Sequence, residues 1–303
     1  MRSLDRKRVV VFLAFAFGVS WATAAVIFFT GGFAESPSLV PGTPITLAFV
    51  LLPTAYMFSP ALAHVLTRHL TREGWSGLRL APRFREGWRL WVAAWLGTAF
   101  LVLVGAAVFF VVFPGVFDPS LGTIREQISA AEADMGGSVS LPVEALFAIQ
   151  VASAILVAPL VNSLLAFGEE FGWRAYLQPK LLPLGFRRAM VSIGVIWGVW
   201  HWPIIAMGHN YGTDYPGSPW LGFAATLWFT FVVGTFLGYL TLCAGSVWPA
   251  VIGHGTLNAT AGLPILLSTG EANPLLGPAS VGVIGSVGFA VVALFILLRP
   301  PQK

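Results

Sequence analysis

The apolar residues of this chain are gathered into long uninterrupted runs, and a run of about 20 residues is what a helix needs to cross a ~30 Å hydrocarbon slab. Eight such runs can be read, at about 9–30, 43–67, 88–113, 142–173, 188–209, 219–243, 246–268 and 276–298, each bounded by charge, glycine or proline. They predict an all-α fold, a polytopic membrane helix bundle of about eight transmembrane helices forming a single integral membrane domain over 1–303. A strand alternative fails because lipid tolerates only helices or closed barrels, and the runs lack the period-two alternation of barrel strands. Only 10% of the residues are charged, against roughly 25% in soluble domains, which removes both a soluble fold and a disordered one. The single cysteine, Cys243, excludes a disulfide scaffold.

The net charge of +4 does not point to nucleic acid, because the basic residues sit in short clusters between apolar runs and make no basic face. They read instead as orientation signals. Arg2, Arg6, Lys7 and Arg8 precede the first run. Arg68, Arg72, Arg79, Arg83, Arg85 and Arg89 surround the second connection, Lys180, Arg187 and Arg188 follow the fourth run, and Arg299 and Lys303 end the chain. In an eight-span arrangement all fifteen fall on one side. The opposite connections hold Arg125 with Glu35, Asp118, Glu126, Glu132, Asp134, Asp214 and Glu271. The expectation is a multi-pass protein of the cell membrane with both termini cytoplasmic. Ala22-Thr23-Ala24 has the small residues of a signal-peptide cleavage site, but the run continues through Val26–Phe29 and reads as an uncleaved anchor. Segment 114–141 reads as an outer loop with a short helix around Ile124 and Ile128. The fourth run is too long for one straight span, and Pro159 is the expected kink.

Ionisable groups inside a span are costly and by default face a cavity and serve a function. Three clusters qualify: Gly168-Glu169-Glu170-Phe171-Gly172-Trp173-Arg174, Trp197 with His201, and His254 with Asn258. At ~1.5 Å rise per residue, His201 lies roughly 20 Å along its helix from Arg188, His254 and Asn258 roughly 12 and 18 Å from Ser246, and the two glutamates roughly 15 Å back from Lys180. Three helices thus deliver polar groups to one layer. Glu170 and Arg174 share a helix face and can pair, as do His254 and Asn258, and Trp197 walls the His201 imidazole. Glu169 points about 100° away from Glu170, so the two carboxylates have different jobs. Peptide hydrolysis needs an activated water, a proton carrier and oxyanion donors, and a Glu, two His and an Asn supply that set.

The three motifs resemble those of the type II CAAX prenyl endopeptidase and bacteriocin-processing (CPBP, or Abi) family of intramembrane proteases. Its pattern is Glu-Glu-x-x-x-Arg, then aromatic-x-x-x-His, then His-x-x-x-Asn/Asp, matched here by Glu169-Glu170-x-x-x-Arg174, Trp197-x-x-x-His201 and His254-x-x-x-Asn258. The likeness covers a core at 142–268 and leaves the first three spans and the last unassigned. It implies CAAX-box protein processing by a glutamate-type endopeptidase in which Glu169 and His201 activate water and His254 and Asn258 stabilise the oxyanion. Glu170 and Arg174 support the site, and Trp197 stands where the family usually has Phe. No cofactor is expected. Members are also described as metalloproteases, and the zinc alternative would use Glu169, His201 and His254. The implied partners are membrane lipid and a peptide or lipidated-peptide substrate, cleaved near the cytoplasmic leaflet. The motifs of zinc site-two, rhomboid and aspartyl intramembrane proteases are absent.

Two other function classes fit the same residues: a proton-coupled transporter using Glu, His and Arg as a relay, and a non-catalytic membrane scaffold or immunity protein. Blander roles compete for single residues. Glu169, Glu170 and Arg174 would otherwise be an ion pair at a helix end, His201 a satisfied core histidine, and His254 with Asn258 interhelical glue. His209 is expected at the outer interface, and His64 and His69 at the surface of the basic connection. Gly194/Gly198 and Gly234/Gly238 suit close helix packing. Trp88, Trp91, Trp220 and Trp248 read as interfacial belt residues, and Pro203 as a local helix defect near His201.

Overall fold

The structure is a computed structural model that describes residues 4–137, 140–270 and 272–301. Arg2, Glu271 and Lys303 lie outside the described residues, as does the side chain of Asp134. Helices dominate, and the β content among the described residues is two isolated bridges, Ser38–Thr46 and Phe117–Ser268. Six helices are long and apolar enough to cross a membrane: α1 (Arg6–Phe29), α2 (Leu47–Leu70), α3 (Phe84–Val112), and, after a short α4 (Gly122–Met135) and α5 (Val143–Leu156), the helices later numbered in chain order at Phe186–Ala206, Trp220–Ala244 and Trp248–Leu267. Between them α5 and α6 (Ala158–Leu184) make a seventh, bent span, with a 45° turn at the break. The last three in sequence are α7 (Phe186–Ala206), α8 (Trp220–Ala244) and α9 (Trp248–Leu267), followed by α10 (Val287–Leu298).

The eighth expected run differs from a full span. Only α10 is helical, 12 residues long, which covers roughly 18 Å. Residues 276–286 fold as turns, because Gly277, Pro278, Gly282 and Gly285 interrupt the helical ladder. This irregular stretch is packed tightly on α3: a Cβ on Gly105 would sit 1.7 Å from the Gly285 carbonyl oxygen. The kink in the long fourth run falls at Val157, with Pro159 in the first turn of α6, where proline is tolerated and its missing N–H costs nothing. Pro203 lies inside α7 without ending it.

Two ends of the bundle are defined by contacts between connections. At the basic end, Arg8 Nε donates to Thr71 Oγ1 at 3.1 Å, the Val247 amide to the Arg79 carbonyl at 2.9 Å, and Arg187 Nε to the Leu297 carbonyl at 2.8 Å. The described chain therefore begins and finishes at this end. At the opposite, acidic end, the Asp118 amide donates to the Leu267 carbonyl at 2.9 Å and the Tyr211 hydroxyl to the Val281 carbonyl at 2.9 Å. There α4 seats Leu121 and Ile124 against Leu263, Leu266 and Leu267.

Small residues bring the site-bearing helices together. A Cβ on Gly172 would meet Pro60 of α2 at 2.3 Å, and one on Gly255 would meet Ser163 of α6 at 2.5 Å, so α6 is held between α2 and α9 by backbone-close packing of the kind small residues permit. On the other flank a Cβ on Gly194 would meet Phe231 at 2.6 Å, so the glycine lets α7 come onto α8. Such contacts fix the depth at which each polar side chain enters the bundle.

Candidate active site

Glu169 and Glu170 sit in the last turns of regular α-helix in α6, just before a π-turn at Trp173–Leu177 that carries Arg174. Inserted residues of this kind widen a helix locally and recur at functional sites. Both carboxylates and Arg174 are buried. Arg174 Nη1 donates to Glu170 Oε1 at 2.8 Å, the pairing expected from their spacing. The same oxygen takes a second bond from His254 Nδ1, also 2.8 Å. The guanidinium then lies over Trp197, its Cζ 4.3 Å from the ring centroid. Gly234 of α8 packs against this pair at ordinary contact distance, a Cβ there standing 3.5 Å from Arg174 Nη2 and 3.6 Å from Trp197.

Glu169 turns away, as the helix geometry requires, and meets α7. Trp197 Nε1 donates to Glu169 Oε2 at 2.7 Å. Trp197 is thus more than an apolar wall: it bonds Glu169, stacks on Arg174, and sets its ring edge-on to His254 at 5.4 Å between centroids. It also flanks His201, at 5.7 Å. A phenylalanine at this position has no N–H to give.

The two histidines are oriented differently. His201 Nδ1 lies 2.8 Å from the Trp197 carbonyl. A carbonyl only accepts, so Nδ1 carries the proton and Nε2 keeps its lone pair. His254 Nδ1 faces a carboxylate instead, 2.8 Å from Glu170 Oε1.

Glu169, Trp197, His201, His254 and Asn258 all line one cavity of about 420 Å³, in the size range of ligand pockets. Asn258 is exposed to it. Glu170 and Arg174 are absent from the lining and lie behind His254. All seven residues singled out in the sequence are therefore assembled at one place, five on the surface of the cavity and two beneath it.

Some readings change. His64 is buried, with Nδ1 2.9 Å from the Phe171 carbonyl and Nε2 accepting from Arg68 Nε at 2.7 Å. It is no surface group, because Arg68 one turn away turns inward with it. His69 is exposed as expected, and His209 is half-buried on the cavity lining. Tyr56, in a π-turn of α2, was unmarked in the sequence reading; it lines the cavity and donates its hydroxyl to the Trp200 carbonyl. The only hint was a tyrosine placed in an apolar run beside Pro53. Among the described residues, no three His, Cys, Asp or Glu side chains come together as a metal-binding group, and one oxygen of Glu169 accepts from Trp197.

The cavity leads toward the acidic end of the bundle. Its lining continues from Glu169 and His254 through Phe229, Leu257 and Gly262 to His209, Asn210, Ala279 and Val281, which belong to the acidic end.

A comparison with curated proteins gives no match. Residues 146–260 match the family described as type II CAAX prenyl endopeptidase, Rce1-like, and the matched segment contains every one of the motif residues named above. The chain is an integral multi-pass membrane protein by the length and apolarity of its helices, and its segment 146–260 is similar to that family of CAAX prenyl endopeptidases.

Proposed function

We propose that this protein hydrolyses peptide bonds inside the membrane with a water activated by Glu169 and His201, without a metal. The observation that carries this reading is the convergence of Glu169, His201, His254 and Asn258 on one cavity, where each has an atom free for substrate. His201, neutral with Nε2 unprotonated, takes the proton of the attacking water and returns it to the leaving amine, the ordinary duty of a general base and acid. Glu169, steadied by the Trp197 N–H, orients that water and offsets the charge His201 acquires. His254, held through Nδ1 by Glu170, turns its Nε2 edge to the developing oxyanion, and the Asn258 amide supplies a hydrogen-bond donor there. Arg174 holds Glu170 in place and compensates its charge.

The substrate is a peptide or membrane-protein segment, and the CAAX-type name of the family suggests a C-terminal one. The transporter reading has less behind it: the relay residues end in a cavity, and the bundle on the far side of them is filled by Trp173, Leu177, Gln178 and Met190, all fully buried. The test is purified protein in proteoliposomes with an internally quenched peptide library, in water enriched in heavy oxygen. Peptides cut with one solvent oxygen in the new carboxylate support hydrolysis. Solute uptake driven by a proton gradient, with no peptide cut, contradicts it.

A further inference from the structure

We propose that this site receives its substrate from the non-cytoplasmic side of the membrane, so that it cleaves peptide segments presented at the outer leaflet and not cytosolic tails. This rests on the endopeptidase reading above and adds to it the class of substrate. Three independent observations converge on it.

The first is where the cavity leads. Along α7 the site residue His201 lies roughly 20 Å from Arg188 but only about 8 Å from Ala206 at the acidic end, at ~1.5 Å per residue. Beyond it the lining is His209 and Asn210 of the following connection, Ile265 at the end of α9, and Ala279 and Val281 of the irregular stretch before α10. Every one of these belongs to the acidic end.

The second is what closes the other direction. Between the Glu170–Arg174 pair and the basic end, α6 is sealed against its neighbours. Gln178 Nε2 donates to the Gly238 carbonyl at 2.9 Å, Met190 Sδ lies 3.0 Å from where a Cβ of Gly238 would be, and Glu73 closes the surface by accepting from Tyr176 at 2.8 Å and pairing with Lys180. A cytosolic tail would have to pass this packed layer.

The third is orientation. The connections at the closed end carry Arg6, Lys7, Arg8, Arg68, Arg72, Arg79, Arg83, Arg85, Arg89, Lys180, Arg187, Arg188 and Arg299, whereas those at the open end carry Arg125 alone, itself paired with Glu144 at 3.0 Å. Basic connections stay in the cytoplasm, so the mouth of the cavity faces outward. Its walls are apolar, with Leu52, Met57, Phe229 and Ile265, which suits an apolar peptide stretch entering from the outer leaflet.

The experiment uses the full chain in its native membrane orientation. In a Cys243→Ala background, Ile265→Cys probes the mouth and Ser76→Cys the closed end, each treated in intact cells with a membrane-impermeant maleimide. Labelling of Ile265→Cys in intact cells, with Ser76→Cys labelled only once the membrane is opened, is the expected pattern; the reverse pattern overturns the proposal. In parallel, an impermeant quenched peptide cut by the unmodified protein is added to sealed vesicles. Right-side-out vesicles should cut it at least tenfold faster than sealed inverted ones, and detergent should abolish the difference. Faster cutting by sealed inverted vesicles overturns the proposal. Absence of cutting even in detergent overturns the endopeptidase reading, and the labelling pattern then still decides which way the cavity faces.

Discussion

One helix, α6, carries two polar clusters that differ in almost every physical respect. Around Lys180, at the basic end, Glu73 accepts from Lys180 and Tyr176 and lies 3.5 Å from Arg8 Nε. Each charge there has an opposite charge or a hydroxyl, and the cluster sits at the surface among α1, α2 and α6. Around Glu170, deep in the bundle, the partners are equally close, but the arrangement is left incomplete. Glu170 Oε2, Arg174 Nε and Arg174 Nη2 are buried without hydrogen bonds, and Glu169, His201, His254 and Asn258 turn toward open space. A closed network is what a fold needs to join three helices at an interface. Unmet hydrogen-bonding capacity beside a cavity is expensive, and it sets this cluster apart as the one proposed to act on substrate.

This contrast can be broken by removing the shared acceptor of the inner cluster. Glu170→Ala leaves Arg174 buried without its counter-charge and His254 without its orienting carboxylate. Loss of one partner of a buried pair costs about 3–5 kcal/mol, so thermal unfolding in detergent should fall sharply, and residual cleavage at low temperature should drop about 10²–10⁴-fold. Normal stability with normal cleavage would show that the inner cluster is as inert as the outer one.

A smaller effect is expected from Trp197→Phe, which keeps the aromatic face over Arg174 and deletes only the N–H to Glu169. A hydrogen bond to a charged group is worth about 1.5–3 kcal/mol, or roughly 10–100-fold in rate. The loss should be in kcat, with the folded state little changed. An unaffected kcat would mean that Glu169 does not depend on this bond.

The least effect on cleavage belongs to the outer cluster. Burial pushes the Glu73 carboxyl up, but the hydrogen bonds from Lys180 and Tyr176 prevail and hold it below the usual carboxylate range. A group with a depressed native pKa contributes stability that is fully present above its unfolded value and is lost as pH falls through the native one. Glu73→Gln should therefore cost about 1 kcal/mol or less at pH 7, leave cleavage unchanged, and converge with the parent protein in unfolding temperature as pH drops below about 4. A stability gap that persists at acid pH would contradict the ionic role.

Several of these features were legible in the sequence because they depend on a single helix. The pairing of Glu170 with Arg174, the opposite facing of Glu169, and the common lining by His254 and Asn258 all follow from 3.6 residues per turn. Contacts between helices were not legible: neither the Trp197 bond to Glu169 nor the approach of Tyr56 to α7 leaves a periodic trace. His64 was misplaced at the surface, although its spacing from Arg68 was a readable sign of a shared inward face. The glycines and proline of 276–286 were likewise readable, but the apolar character of the run concealed a helix of 12 residues. The depth arithmetic already put His201 nearer the acidic end, since a histidine roughly 20 Å from the basic end lies past the middle of a ~30 Å slab.

The central claim is that the buried Glu169 carboxylate, together with His201, activates water for peptide hydrolysis. Its most direct test is the peptide-cleavage profile of purified protein and of Glu169→Gln, each with and without a strong chelator. The account predicts cleavage by the parent protein that chelation does not change, and loss of about 10²-fold or more in the variant at unaltered unfolding temperature. Equal cleavage by Glu169→Gln, or abolition of the parent's activity by chelation and its return with zinc, would contradict it.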